Sequence, residues 1–342
     1  MENNDVIEHE EINLEKGETQ ENVPDMMKPT EKKKKKDKVK MNTKSKVLFV
    51  GIILIFTLFV AGIGYFVYNY FTQEDEVNEN LFTTDSLPRV DASLATQPLM
   101  DKFVSVFTDT DLSLVNIEYT NTHPAYEKLA NGETDLIIVT SPSDEAKKLL
   151  EEKGVEIELI PVVNEAFVFF VNKDNIVDSL TLEQVQGIYS GKITNWKEVG
   201  GADAKILAYQ RPDTSGSQTG LKDLVMKNIK IKKPLMDEFA QEMGDVIDYV
   251  ADYKDDEKAI AYSYYYYANV MYYNENIKFL GINDVMPEFN TIQDGSYPLL
   301  TSYYIVINKN EPSDSNVRRL VKAMLSEKGQ IAAQEAGYVP IK

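Results

Sequence analysis

One apolar run breaks an otherwise alternating chain. Val47 to Gln73 contains no charged residue, and Val47 to Tyr68 is almost wholly apolar. Roughly 20 such residues span a bilayer at about 1.5 Å rise each, so the run predicts a transmembrane helix over 47–71. A polar stretch at 72–87 without periodicity reads as a linker. Beyond it, strand-like and helix-like patterns alternate. Leu99, Phe103, Val106 and Phe107 recur at helical spacing after Pro98. Asp135 to Val139 is a short run of the buried-strand type, flanked by Gly132 and Ser141-Pro142. Ser143 caps a charged helix that ends at Gly154. Ile157 to Val163 and Ala166 to Val171 read as two further strands, and Thr181-Leu182-Glu183-Gln184 is a capping box opening a helix that closes near Ser190-Gly191. Ile206 to Tyr209 is a strand that leads into Arg211, and Thr219 to Met226 is a helix beyond it. This alternation predicts an α/β domain with mainly parallel pairing.

Charge sorts the chain into compartments. Residues 1–46 carry eleven acidic and eleven basic residues, so the whole net charge of −19 falls on residues 47–342. The tail has too few large apolar residues to fold alone and reads as disordered. Its lysines, Lys32 to Lys36 and on to Lys46, crowd the N-terminal side of the apolar run, which predicts a cytoplasmic tail and an extracellular domain. They also suit anionic lipids. Tyr65, Phe66, Tyr68, Tyr70 and Phe71 suit the outer membrane interface. The long leader and the length of the run favour an uncleaved anchor over a signal peptide. A strongly acidic domain argues against a nucleic-acid partner. With no cysteine and only His9 and His123, disulfides, thiolate metal sites and a cysteine nucleophile are excluded, and neither metal nor cofactor is expected.

The chemistry concentrates in Arg211-Pro212-Asp213-Thr214-Ser215-Gly216-Ser217-Gln218. A helix starting there would expose unpaired N–H groups and a partial positive charge, which hold anions. Ser215 and Ser217 add hydroxyl donors, Gly216 lets the backbone approach closely, and Arg211 brings a fixed fork of donors. In α/β sheets ligands bind beyond the carboxyl ends of strands, where this turn falls. A plain helix cap with a surface arginine is the other reading of the same residues. The tyrosines Tyr262, Tyr264 to Tyr267, Tyr272 and Tyr273 invite a stacking role, but their β-prone setting favours packing.

Several of these segments together resemble the phosphate-binding component of bacterial phosphate ABC transporters. The matching stretches are Asp91-Ala92-Ser93-Leu94-Ala95 with Pro98-Leu99, Ile188 to Trp196 through Gly200-Gly201, and Arg211 to Ser217. Tyr297-Pro298-Leu299 and the ending Gly329-Gln330 to Gly337-Tyr338-Val339-Pro340 complete the set. The resemblance covers residues 88–342. It implies a two-lobed periplasmic-binding-protein-like fold of type II, with one lobe from about 88–162 plus 298–342 and the other from about 163–297. It also implies an oxyanion clamped between them, no catalysis and ABC permease subunits as partners. Carried over by position, Arg211 is the anion-binding arginine, Asp213 the acid that steadies it, and Ser215-Gly216-Ser217 the helix turn. Ala95 and Thr122 fall at the two turns of the first lobe.

Three positions depart from the family pattern. Leu94 stands where a hydroxyl residue is usual, leaving the backbone N–H of Ala95. Thr122-His123-Pro124-Ala125 replaces a Ser-Gly-rich turn, with Thr122 still able to cap the helix. Thr140 stands where an aspartate accepts the phosphate proton, with Ser141 next to it. A buried aspartate rejects a fully ionised oxyanion, whereas a threonine hydroxyl donates or accepts. The expectation is an oxyanion receptor that separates phosphate from sulfate less sharply. His123 would add a pH-dependent donor if it faces the cleft and be a helix-start residue if it does not. Two other functions stay open: a sensor or scaffold that reuses the fold without transport, and a hydrolase using Ser215, which would have only Lys222 as a base.

Overall fold

The computed structural model describes residues 81–342 except 109–114, 116, 236–238, 252–257 and 342. The tail at 1–46, the expected membrane span at 47–71 and most of the linker lie outside the described residues. Among the described residues no helix is long and apolar enough to cross a membrane. The linker reading extends too far: Phe82 is buried, donates its N–H to Phe107 O at 3.1 Å, and carries Arg319 over its ring.

The strands in chain order are β1 (Val90–Ser93), β2 (Ile117–Thr120), β3 (Leu136–Val139), β4 (Ile157–Asn172) and β5 (Ser179–Leu180). They continue with β6 (Leu207–Ala208), β7 (Ala259–Tyr264), β8 (Ile277–Phe279), β9 (Gly281–Ile282), β10 (Leu300–Asn308) and β11 (Val339–Pro340). The main sheet runs β2-β1-β3-β10-β4-β7-β6, with β8 and β11 also on β4, while β5 and β9 form a separate pair.

The apolar run of β3 is explained by helices on both faces. Leu136 and Ile138 pack towards Leu99 and Phe103 of the helix Gln97–Phe107. Ile137 and Val139 pack towards the helices Thr122–Asn131 and Asp144–Lys153. Side-chain alternation along a strand sends successive residues to these two cores. Local signals set the helix ends where the sequence placed them. The Ser143 side chain accepts from Ala146 N, and Gly154 closes that helix at φ 66°. Thr181 and Gln184 form the capping box, and Gly191 closes the helix Leu182–Ser190 at φ 77°. At both closing positions the left-handed backbone favours glycine.

Pairing is less parallel than the alternation predicted. β1 pairs β2 and β3 in parallel and β6 pairs β7 in parallel, but β10 runs antiparallel to both β3 and β4, and β7 and β8 run antiparallel to β4. The cause is the length of β4. The two strands expected at 157–163 and 166–171 are one, and its two ends belong to different lobes. Its first part pairs β10 and β11, and from Phe167 onwards it pairs β7 and β8. Two α/β lobes therefore share one crossover, to which β10 returns antiparallel.

Glu165 sits at this crossover, opposite Thr301, and is buried. Its carboxylate accepts from Ala166 N at 2.8 Å and from Tyr266 N at 3.3 Å. Burial nonetheless dominates these bonds and pushes its pKa up to about 8. The ordinary value is 4.5. Between those two values the folded chain holds a proton that the unfolded chain has released. Stability should therefore fall as pH rises from about 5 to 8, by at most about 1.4 kcal/mol per pH unit. Glu165→Gln should flatten that slope in chemical denaturation of the full chain. Equal slopes in both proteins would refute the assignment.

Candidate functional site

The segment after β6 is held by its own side chains. The Arg211 backbone N–H donates to Gln218 Oε1 at 3.2 Å and to the Tyr262 hydroxyl at 3.1 Å, and that hydroxyl donates in turn to Gln218 Oε1. Ser215 N–H closes a turn on Pro212 O at 2.9 Å. The Ser215 Oγ then accepts from Gln218 N, capping the helix Gly216–Gly220, which continues as a wider π turn over Leu221–Met226. The expected helix thus starts earlier than Thr219 and changes its winding midway. Tyr264 of β7 donates its hydroxyl to Gly216 O at 3.0 Å and ties this turn to the sheet.

These elements border a cavity of about 530 Å³ between the lobes. Six of the eight residues expected at the site line it: Ala95, Thr122, Thr140, Arg211, Ser215 and Gly216. Leu94 and His123 line it as well. Two residues are placed elsewhere. Ser217 is fully buried outside the lining, with no partner for its Oγ. Asp213 does not reach the arginine. Its carboxylate pairs with Lys222 Nζ at 2.7 Å, and its side chain is 66% exposed. The same pair engages the ammonium that a Ser215 hydrolase would need as a base.

The first lobe contributes three chain turns. β1 runs into the 3-10 turn Leu94–Thr96, whose Ala95 O accepts from the Tyr338 hydroxyl at 2.8 Å. The second turn differs from expectation, because Asn121 is the cap residue and Thr122 is already helical, with no side-chain cap bond. The end of β3 is fixed by the Tyr126 hydroxyl, which donates to Thr140 O at 2.9 Å. Gly216 permits the close meeting of the lobes here. A Cβ at that position would stand 2.5 Å from Thr140 Oγ1 and 2.8 Å from Thr122 Oγ1. His123 stands 3.5 Å from Glu127 on its own helix, while its Nδ1 is buried and unpaired.

Electrostatically the cavity is organised by one cation. Arg211 is 8% exposed, and its Nε and Nη1 have no hydrogen-bond partner. Burial lowers its pKa, and Tyr262, Glu242, Tyr267 and Asp245 offset part of that effect. Among the described residues no carboxylate forms an ion pair with it. A guanidinium stays protonated regardless, so the site holds a desolvated charge with unused donors. Thr140 Oγ1 and the Tyr303 hydroxyl are also buried, unpaired and part of the lining. Such a set can grip an anion.

Sequence reasoning missed the tyrosines of the lining, Tyr264, Tyr267 and Tyr303, together with Glu242 and Met243. The cluster Tyr262 to Tyr267 does pack mainly as expected. Tyr262 contacts Phe167, Phe169 and Tyr189, and only its hydroxyl reaches the arginine loop.

Residues 84–327 match the model of the PBP superfamily domain. The phosphate-binding protein PstS of Staphylococcus saprophyticus is 30% identical over 265 residues, which is 73% of this chain and 79% of that protein. An ABC-type phosphate transport receptor from Vibrio cholerae superposes with a TM-score of 0.55 at 18% identity, covering 73% of this chain and 98% of the receptor. A candidate phosphate ABC transporter substrate-binding protein from Clostridium perfringens, solved with bound phosphate, gives 0.58 at 20% identity, covering 74% and 98%. At those identities the two solved structures speak for the fold.

Gly216→Ala should force the Thr122 and Thr140 hydroxyls away from the turn and cost about 1–3 kcal/mol of stability. Adding Thr140→Ala should recover part of that loss in thermal unfolding. A neutral Gly216→Ala would mean that the lobes do not meet there.

Proposed function

We propose that this chain, which belongs to the PBP superfamily and within it to the PstS family of phosphate-binding proteins, captures inorganic phosphate or a related tetrahedral oxyanion between its lobes for an ABC importer. The observation that carries the reading is Arg211, a buried guanidinium with free Nε and Nη1 donors in an interlobe cavity. An incoming oxyanion would supply the charge and acceptors that the protein withholds. Ser215 and Gly216 lie in the cavity wall beside it, at the N-terminus of their helix, whose partial positive charge favours an anion. Thr122, Thr140 and Ala95 face the ion from the first lobe, and Ser217 acts behind the turn. Asp213 acts indirectly, through its ion pair with Lys222.

The lobes in this reading are 88–162 plus 298–342 and 163–297. The protein is held at the cell membrane by one helix at 47–71, with the tail cytoplasmic and the binding domain extracellular. The receptor delivers its ion to permease subunits and performs no catalysis. The domain's negative charge does not oppose this, because distant charges are screened while cleft dipoles and hydrogen bonds are not.

Calorimetric titration of the full chain in detergent tests the assignment. Arg211→Ala should weaken phosphate binding by about 1.5–3 kcal/mol, or roughly 10- to 150-fold. Unchanged affinity would place the site elsewhere. Because Thr140 carries no carboxylate, phosphate and sulfate should differ less than a thousandfold in the wild-type chain, and Thr140→Asp should widen the gap against sulfate. A larger wild-type preference for phosphate would overturn the role given to Thr140.

A further inference from the structure

The cavity is much larger than a bare oxyanion requires. Its volume of about 530 Å³ falls among pockets that hold whole small molecules, roughly 300–1,000 Å³. An inorganic oxyanion displaces only a few waters, each about 30 Å³ of liquid. The lobes already meet at one point of this cleft, where a Cβ at Gly216 would stand 2.5 Å from Thr140 Oγ1.

The lining is also sorted by depth. Arg211, Thr140 and Tyr303 are buried and carry unpaired polar atoms, with Tyr303 at 0% exposure. Leu94 is 45% exposed, while Pro124, Met243 and Tyr267 are half-buried. The donors therefore form the floor, while the way out is mixed: an apolar strip from both lobes runs beside the exposed polar side chains of Asn121, Thr214, Gln241 and Glu242. Leu94 matters most here, because it places a branched apolar group where the family pattern has a hydroxyl. Tyr303 matters on the floor. Its hydroxyl comes from the crossover strand β10 and can donate, whereas the aspartate of the family pattern accepts. A floor of donors suits a dianion with no proton to surrender.

We propose that the cavity takes a monosubstituted tetrahedral oxyanion, a phosphate monoester or phosphonate with a small organic group. Its charged head rests on Arg211, Thr140 and Tyr303, and its substituent lies along Leu94, Pro124, Met243 and Tyr267. This assignment rests on the oxyanion-receptor reading and narrows it.

The experiment compares inorganic phosphate with phenyl phosphate by calorimetry on the full chain in detergent. Phenyl phosphate should bind at least tenfold more tightly. Leu94→Ala, which removes the apolar group without adding a donor, should reduce that ratio severalfold, and Tyr303→Phe should weaken both ligands together. Inorganic phosphate binding as well as or better than phenyl phosphate, or any smaller advantage for the ester, would overturn the ester assignment and leave the receptor reading standing. A ratio untouched by Leu94→Ala would overturn it equally. Failure of both ligands to bind would overturn both readings.

Discussion

A buried cation that pairs with no acid among the described residues governs the second lobe's half of the cleft. Taking a guanidinium out of water is costly, and a folded protein normally offsets that cost with a carboxylate. Here the offset is postponed. The chain spends its local hydrogen bonds on the Arg211 backbone, through Tyr262 and Gln218, and leaves the side-chain Nε and Nη1 donors unmet. The loop is therefore fixed through its backbone and unsatisfied at its side chain. Preorganisation of this kind keeps the ordering cost out of the binding step.

Two buried ionisable groups in the same domain meet opposite fates. Arg211 keeps its charge because a guanidinium cannot readily lose its proton. Glu165, at the lobe crossover, has backbone N–H groups on its carboxylate, yet burial still favours its neutral form. The difference lies in what each can do when desolvated. A carboxyl group escapes by taking up a proton, whereas an arginine has to wait for a counter-ion. One group consequently settles the crossover and the other creates demand in the cleft.

Much of this was legible in the sequence wherever the cause is local. The Ser143 and Thr181 caps, the glycines at 154 and 191 and the Arg211 to Ser217 turn rely on residues a few positions apart, so the string displays them. The merging of two expected strands into β4 was not legible. Glu165 is a charged residue in a β run, which reads as a break until the fold buries it. Asp213 was misplaced because Lys222, nine residues on, competes for it only once the helix has formed. Tyr303 is one of 20 tyrosines in a β-prone segment, and only tertiary register turns its hydroxyl towards the cavity. The departures at Leu94 and Thr140 could be weighed only against a resemblance, since each is unremarkable alone.

The crossover also limits how the lobes can move. Where the pairing passes between lobes, β4 and β10 lie side by side, from Leu300 opposite Ala166 to Tyr303 opposite Val163. Their hydrogen bonds run across the ribbon, perpendicular to both strands. Sliding one strand along the other would break that whole row together, while bending or twisting the ribbon strains each bond slightly. The joint is stiff in shear and compliant in torsion, a geometry that favours parting of the lobes as a wedge over translation. A wedge opens most at the end farthest from its axis, so the mouth of the cavity would move more than the floor beside Tyr303 of β10.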